Sequence, residues 1–185
     1  MACNSFSLNG LAPQCKDSAG SVKKFWIALA ENVIITPSVD TAGNRTGEAT
    51  IAIVGGADLD KEFHVYNVRK NTSSMTSTLN VSDTAGNSFT TEANLQFLKM
   101  DLTKRLEALA IMMSETVVIV KDGNDVYHIL GYDFPVEASA GTGETGTAMA
   151  DFNGYNITLQ DVSKELPFQI TDTTTIAALE AITVA

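Results

Sequence analysis

The chain has 185 residues, 44% of them hydrophobic, which suffices for one sizeable core and excludes a disordered composition. Its 22 acidic residues outnumber its 12 basic residues and give a formal net charge of -10. This balance disfavours a protein that grips nucleic acid, because neutralising phosphates requires clustered Lys and Arg. An acidic surface can keep a protein soluble or let DNA slide past without sticking, and composition leaves both uses open.

Residues 1–21 predict an N-terminal arm. This segment is polar and contains Gly10, Pro13 and Gly20, which interrupt regular structure. Its cysteines, Cys3 and Cys15, are spaced closely enough for a disulfide, but a reducing compartment would keep them as thiols. The arm lacks the features of a secretory signal, and no stretch approaches the ~20 apolar residues of a membrane span. We therefore expect assembly in a cytoplasm and no membrane span.

Residues 22–185 predict a single β-rich domain that opens with short strands. Val22 to Leu29 is apolar over its second half, Ala49 to Val54 ends at two glycines, and Phe63 to Arg69 is strand-like on both faces. Strands of this length and composition indicate a mainly β domain.

A long β-hairpin is predicted over residues 63–98. The Thr- and Ser-rich stretch after Lys70 has apolar residues at alternate positions, and a second alternating segment follows the turn at Asp83 to Asn87. We expect the apolar positions of this hairpin to serve subunit assembly: Met75, Leu79, Val81, Phe89, Leu95 and Phe97. The opposite face is almost entirely Thr, Ser, Asn and Glu. One face is therefore available to a neighbouring subunit or to water, and such a ribbon is marginal by itself.

One helix is predicted at about residues 98–114, where the period of the pattern changes. Leu102, Leu106, Leu109 and Met113 follow one another at steps of four, three and four, which puts them on one stripe that we expect to face the core. A buried strand follows at Val117 to Val120, and a turn leads from it into a second apolar strand. This stretch predicts a central hairpin covered by the helix.

The last third of the chain predicts further strands around a loop. Asp133 to Ala150 contains a Gly-rich cluster and predicts a mobile loop, whereas Tyr155 to Leu159 alternates like a strand. Leu166 to Ile170 is strand-like, and Thr175 to Val184 is strand-like or short helical material. The total of seven to nine strands favours a mainly β fold, a β-sandwich or partly closed barrel with one flanking α-helix and a long projecting hairpin.

The sequence predicts no catalytic, cofactor or metal site, and we expect that the protein is not an enzyme. The cluster at Gly141 to Gly146 lacks the Gly-Lys-Ser/Thr ending that binds phosphate and magnesium. His64 and His128 have no ligand-forming residue at zinc-site spacing. Asp122 to Asp125 resembles part of a calcium loop, but its glycine is at the wrong offset and no bidentate Glu follows, which favours a hairpin turn.

The order of features along the chain carries a resemblance to a known class of protein. These features are the polar arm with two cysteines, Gly20 to Ile27, the Thr-rich hairpin, the helix at Leu102 to Met113, Val117 to Val120, Asp122-Gly123, Leu130-Gly131, a Thr- and Gly-rich loop, and Asp151 to Tyr155. This order resembles virion structural proteins of tailed bacteriophages, most of all their tail-tube proteins. The similarity covers most of the chain and is one of pattern.

The resemblance implies a subunit of stacked six-fold rings. Hairpins of neighbouring subunits would complete an inner β-barrel whose electronegative lumen passes the genome. Its partners would be copies of itself, other virion proteins and DNA in transient, non-specific passage, in a virion assembled in the host bacterial cytoplasm. Asp83 and Glu92 are then the acidic lumen candidates, and Arg69 and Lys70 the basic ones.

Two other classes of function stay open at this point. A capsid decoration or head-to-tail connector protein would share composition and fold but form trimers or a single ring. A carbohydrate- or receptor-binding β-module would expose aromatic residues on loops, whereas Trp26 and most Phe residues here lie in predicted strands.

Overall fold

A computed structural model describes residues 19–41, 43–53, 62–82 and 86–182. Most of the predicted N-terminal arm, including both cysteines, and the turn residue Asp83 lie outside this part. The described strands are β1 (Val22–Leu29), β2 (Val33–Val39), β3 (Arg45–Ile53), β4 (His64–Asn67), β5 (Ser74–Asn80), β6 (Ser88–Leu98), β7 (Thr116–Asp122), β8 (Tyr127–Leu130), β9 (Glu137–Glu144), β10 (Gly154–Ser163) and β11 (Phe168–Ile170). The described helices are α1 (Leu102–Met113) and α2 (Thr173–Ala181), and a 3-10 turn joins β1 to β2.

The larger sheet has seven strands in the order β2-β3-β11-β8-β7-β1-β4. Strand β7, an inner strand between β8 and β1, contains Val117 to Val120, which are buried on both faces, as a continuous β-branched run predicts for a strand inside a covered sheet. The predicted hairpin of β7 and β8 is confirmed, with Val118 opposite Leu130. Strand β11 joins the β2-β3 hairpin to this sheet through one parallel pair, Gln169 and Glu48.

The smaller sheet has four antiparallel strands in the order β5-β6-β10-β9. Strand β6 pairs with β10 along its length, from Leu98 opposite Gly154 to Phe89 opposite Ser163. One core cluster lies between the two sheets and includes Phe25, Val118, Leu95, Ile157 and Ala108 of α1. The mainly β, sandwich-like fold with a flanking helix is therefore confirmed.

A second core cluster covers the other face of the seven-stranded sheet. It contains Trp26, Ile119 and Ile129 of the sheet and Leu179 of α2. The indole Nε1 of Trp26 donates a hydrogen bond to the backbone oxygen of Leu179 at 2.9 Å, which satisfies the one polar group of a fully buried side chain. Helix α2 occupies the segment that the sequence left between strand and helix.

Two predicted boundaries are wrong. The predicted hairpin began at residue 63, but β4 pairs with β1 in the larger sheet, so the hairpin consists of β5 and β6 alone. The hairpin is also part of a four-stranded sheet, because β10 pairs with the edge of β6 that faces away from β5. The predicted loop at Asp133 to Ala150 contains β9, which pairs with β10 through its backbone although it has few large side chains.

The predicted orientation of helix α1 is also wrong. The side chains that we expected in the core are exposed: Leu102 by 70%, Leu106 by 53%, Leu109 by 46% and Met113 by 80%. The buried residues of this helix are Ala108 and Ile111, on the opposite side. The small Ala108 lets the helix approach the sandwich closely, so the weaker of two apolar faces packs inward.

Candidate assembly surface

Four strands end the two sheets in the described part of the chain. They are β2 and β4 in the larger sheet and β5 and β9 in the smaller one. An edge strand presents a row of backbone N–H and C=O groups to any strand that approaches it. Each of these edges is therefore a possible contact with another chain.

The two edges of the smaller sheet match each other in length and direction. Strand β5 has seven residues and β9 has eight, so both extend over roughly 25 Å. Because the three pairings of this sheet are all antiparallel, β5 and β9 run in opposite directions. When copies of the sheet are placed side by side, β9 of one copy meets β5 of the next in the antiparallel sense. The sheet can therefore continue from copy to copy without reversing a strand.

The face of the smaller sheet that points away from the core is mostly polar and acidic, with Val162 and Leu98 as its large exposed apolar side chains. Its cross-strand rows follow from the register, and the row at Thr76 continues through Glu92 and Gln160 to Glu137. Glu144 lies on the same face, opposite Gly154. No Lys, Arg or His occurs in the four strands of this sheet. The face consequently carries only negative charge.

Side chains on this face hold one another across strands. The amide Nε2 of Gln160 donates to Oε1 of Glu92 at 3.3 Å, and Nδ2 of Asn80 donates to Oγ1 of Thr90 at 2.7 Å. Such pairs stabilise a sheet whose outer surface has almost no apolar contact. Of the predicted acidic candidates, Glu92 is thus placed on the acidic face, and Asp83 lies outside the described residues. The basic candidates Arg69 and Lys70 lie in the exposed turn before β5, outside this face.

The apolar residues of the predicted assembly hairpin divide into two groups. Leu95 is fully buried, and Met75 and Phe97 pack against the same core cluster, so these three stabilise their own chain. Phe89 is half-buried, opposite Leu79. Leu79 and Val81 are exposed by 48% and 71%, beside the turn between β5 and β6. Leu98, at the other end of β6, is 37% exposed, so both ends of the hairpin offer some apolar surface to a neighbour.

Sequence reasoning missed a buried carboxylate on the inner side of β10. Asp161 is 2% exposed, and its Oδ1 has no hydrogen-bond partner among the described residues. Burial and, to a smaller extent, the nearby carboxylate of Asp133 raise the pKa of Asp161 to about 6. A hydrogen bond from the backbone of Gly131 acts in the opposite direction and lowers this pKa. The alternation of β10 could have revealed it, because Asp161 continues the inward phase of Ile157 and Leu159.

A groove of about 350 Å³ lies between α1 and the β1-β4 end of the larger sheet, where the Tyr66 hydroxyl donates to Oε2 of Glu107 at 2.8 Å. Among the described residues, no three His, Cys, Asp or Glu side chains are arranged to hold a metal ion. Neither described helix combines the length and the apolar character needed to cross a membrane.

Comparisons with protein families, characterised proteins and solved structures find no significant match to this chain. The function proposed below is therefore argued from the geometry of the sheets and from the sequence pattern.

Proposed function

We propose that this chain is a structural subunit of a tailed-bacteriophage particle that assembles into stacked rings and forms the tail tube through which DNA passes. The observation that carries the proposal is the smaller sheet, with two matched open edges and a face that carries only acidic charge. The resemblance of the chain to tail-tube proteins supports the same function. The particle would assemble in the host bacterial cytoplasm, with copies of the chain and other virion proteins as partners.

Assembly would proceed by pairing of strand edges. Strand β5 of one copy pairs with β9 of the next, and each supplies the backbone donors and acceptors that the other lacks. Repetition around an axis closes the sheets into a barrel, which removes the open edges. The exposed Leu79 and Val81 at the hairpin end then meet the adjacent copy or the next ring.

The acidic face would line the lumen. Glu92, Glu137 and Glu144 repel the phosphates of DNA, and the Thr, Ser, Asn and Gln side chains between them present a wetted wall. Each ring repeats these carboxylates once per subunit. DNA would therefore pass without being held.

Electron microscopy of the concentrated, purified chain tests the proposal. We expect negatively stained tubes of stacked rings with a central channel. Isolated trimers would favour a capsid decoration protein, and single rings that never stack would favour a head-to-tail connector. A chain that stays monomeric at all concentrations would overturn assembly through strand edges.

A pair of neighbouring proline substitutions tests the β5 edge itself. Successive N–H groups along a strand point alternately toward its partner and toward the open edge. Of Thr76→Pro and Ser77→Pro, one therefore removes a backbone hydrogen bond to β6 and lowers thermal stability, whereas the other removes a backbone donor at the open edge. Because Oγ of Ser77 also hydrogen-bonds Oγ1 of Thr91 at 2.8 Å, the reference for Ser77→Pro is Ser77→Ala. We expect the variant that keeps its melting temperature to lose tube formation. Tubes formed by that variant would contradict a contact through β5.

A further inference from the structure

The outward stripe of helix α1 is a contiguous apolar surface that strand-edge assembly leaves unexplained. This α1 stripe consists of Leu102, Leu106, Leu109 and Met113, whose exposed fractions are 70%, 53%, 46% and 80%. It lies opposite the buried Ala108 and Ile111, so it points away from the sandwich. Four large apolar side chains in one row along a helix form a surface typical of protein contacts.

The spacing of the α1 stripe matches a helical partner. Steps of four, three and four are those of the seam of a coiled coil, in which side chains of one helix fit between those of another. The row is also symmetric about the middle of the helix. In an antiparallel pair of identical helices, Leu102 meets Met113 of the second copy and Leu106 meets its Leu109. The stripe is therefore complementary to itself.

The charges around α1 favour the antiparallel arrangement. The N-terminal end of the helix carries Lys99, Lys104 and Arg105 and one acid, Asp101, which forms a salt bridge with Lys104 at 3.0 Å, so this end keeps a net positive charge. Glu115 follows its C-terminal end. An antiparallel pair places the basic end of each helix beside the acidic end and the negative dipole end of the other. A parallel pair would place basic ends together.

The residues that flank the stripe permit close approach. Thr103 and Ala110 border it on one side and are small, and both are exposed. Arg105 borders it on the other side and has room to extend toward the second copy. Nothing on either border places like charges opposite each other in the antiparallel arrangement.

We propose that α1 is a docking surface for α1 of a second copy, in an antiparallel, two-fold symmetric pair. Such a pair is isologous and closes on itself, so it differs from the ring contacts, which join unlike edges. It uses none of the residues of β5 or β9 and goes beyond the proposed tube. The stripe is about 17 Å long, so the pair would bury an area at the low end of interface size, and we expect a reversible dimer.

Sedimentation velocity over about 1 to 200 μM would measure this dimer, in the stable β5 proline variant so that strand-edge assembly does not interfere. We expect a monomer–dimer equilibrium, and at least a tenfold weaker dimer for Leu106→Glu because a carboxylate enters the centre of the seam. Ile34→Glu is the matched control, because Ile34 on β2 is also 53% exposed, and should leave the dimer unchanged. Thermal melts of both variants should match the parent, because both side chains are exposed.

Disulfide mapping tests the orientation. In a chain with Leu106→Cys and Leu109→Cys, and with Cys3 and Cys15 replaced by Ser, oxidation should link position 106 of one copy to position 109 of the other. Links between two copies of position 106 would overturn the antiparallel arrangement.

The pair itself would be overturned if the β5 proline variant stays monomeric at about 200 μM. It would also be overturned if adding Leu106→Glu to that variant leaves the dimer equally strong. If the dimer depends on Leu106 but the unmodified chain never forms tubes, the α1 pair is upheld and the proposed tube is overturned. If the unmodified chain forms tubes but this dimer is absent, the proposed tube is upheld and the α1 pair is overturned.

Discussion

At the scale of single residues, Asp161 is the carboxylate that the fold accommodates least well. Its side chain is buried beside Ser163, and one of its oxygens has no partner among the described residues. Ionisation in such a place is costly, because the carboxylate loses water without gaining a cation. The folded state consequently binds a proton at Asp161 more tightly than the unfolded state does.

We expect this carboxylate to make stability fall with rising pH. The pKa of Asp161 is about 6 in the folded state, against 3.8 ordinarily, so its contribution is most favourable below pH 4, declines between about pH 4 and 6, and is constant above that. Asp161→Asn removes the titrating group. Because one unit of pKa is worth about 1.4 kcal/mol, and relaxation recovers part of it, the variant should be more stable than the parent at pH 7 by roughly 1 to 2 kcal/mol.

Urea unfolding at pH 4 and pH 7 measures this effect. Glu144→Gln, which removes an exposed carboxylate from the same sheet, should keep the decline of the parent chain. An Asp161→Asn variant whose stability falls as steeply as that of the parent would show that another group causes the decline.

At the scale of elements, helix α1 shows what a periodic pattern can and cannot predict. Its position and length followed from the spacing of the leucines, and its start follows from Asp101, whose Oδ1 accepts a hydrogen bond from the backbone N–H of Lys104 at 2.9 Å. Its orientation did not follow, because the helix has two apolar faces and the larger one is exposed. Periodicity detects a stripe, but packing against the rest of the chain decides whether that stripe or its opposite is buried.

Two alanine substitutions in α1 measure which face stabilises the fold. Ile111→Ala removes a buried side chain from the core between the sheets and should lower the free energy of unfolding by about 2 to 4 kcal/mol. Leu106→Ala should change it by less than about 0.5 kcal/mol when measured at low protein concentration, where copies do not associate. Chemical denaturation of both variants gives the comparison. A larger loss for Leu106→Ala would restore the orientation that the sequence predicted.

One carboxylate of helix α2, besides the packing of Leu179, attaches it to the larger sheet. Glu180 accepts hydrogen bonds from Nζ of Lys24 at 2.5 Å, from Nζ of Lys121 at 2.7 Å and from the hydroxyl of Tyr127 at 2.7 Å. Partial burial by itself raises the pKa of Glu180, but these donors lower it to about 2. The stabilisation is therefore present above the ordinary pKa of 4.5 and is lost as the pH falls toward 2.

Glu180→Gln should weaken this attachment without unfolding the chain. We expect a loss of about 1 kcal/mol at pH 7, since solvent screens a site that is partly open, and a smaller difference from the parent near pH 2. Hydrogen exchange should show faster exchange in α2 and unchanged exchange in β6. Equal losses at both pH values would indicate that packing of α2, and not this charge, holds the helix.

At the scale of the whole molecule, sequence reasoning reached the class of fold but not the division of strands between sheets. Alternation predicted the β5-β6 hairpin and the β7-β8 hairpin, because each depends on neighbouring segments. It could not assign β4 to the larger sheet, since that depends on pairing with the distant β1, and it could not join the β5-β6 hairpin to β10. The acidic face was predicted only at Glu92. Glu137 and Glu144 were missed because β9 has the composition of a loop.

The charge of that face allows the conduit to be tested in the assembled state. Glu92→Lys combined with Glu137→Lys places two cations per subunit where the parent has two carboxylates, so a tube of this variant should retain duplex DNA at low salt and release it as salt rises. Filter binding between 50 and 500 mM salt measures this, with negligible retention expected for the parent. The control is Glu31→Lys combined with Glu48→Lys, which makes the same change of charge outside the proposed lumen. Glu31 lies in the 3-10 turn between β1 and β2, and Glu48 lies on β3 of the larger sheet. If both double variants bind DNA equally, retention reflects total charge, and the acidic face does not line a channel through which DNA passes.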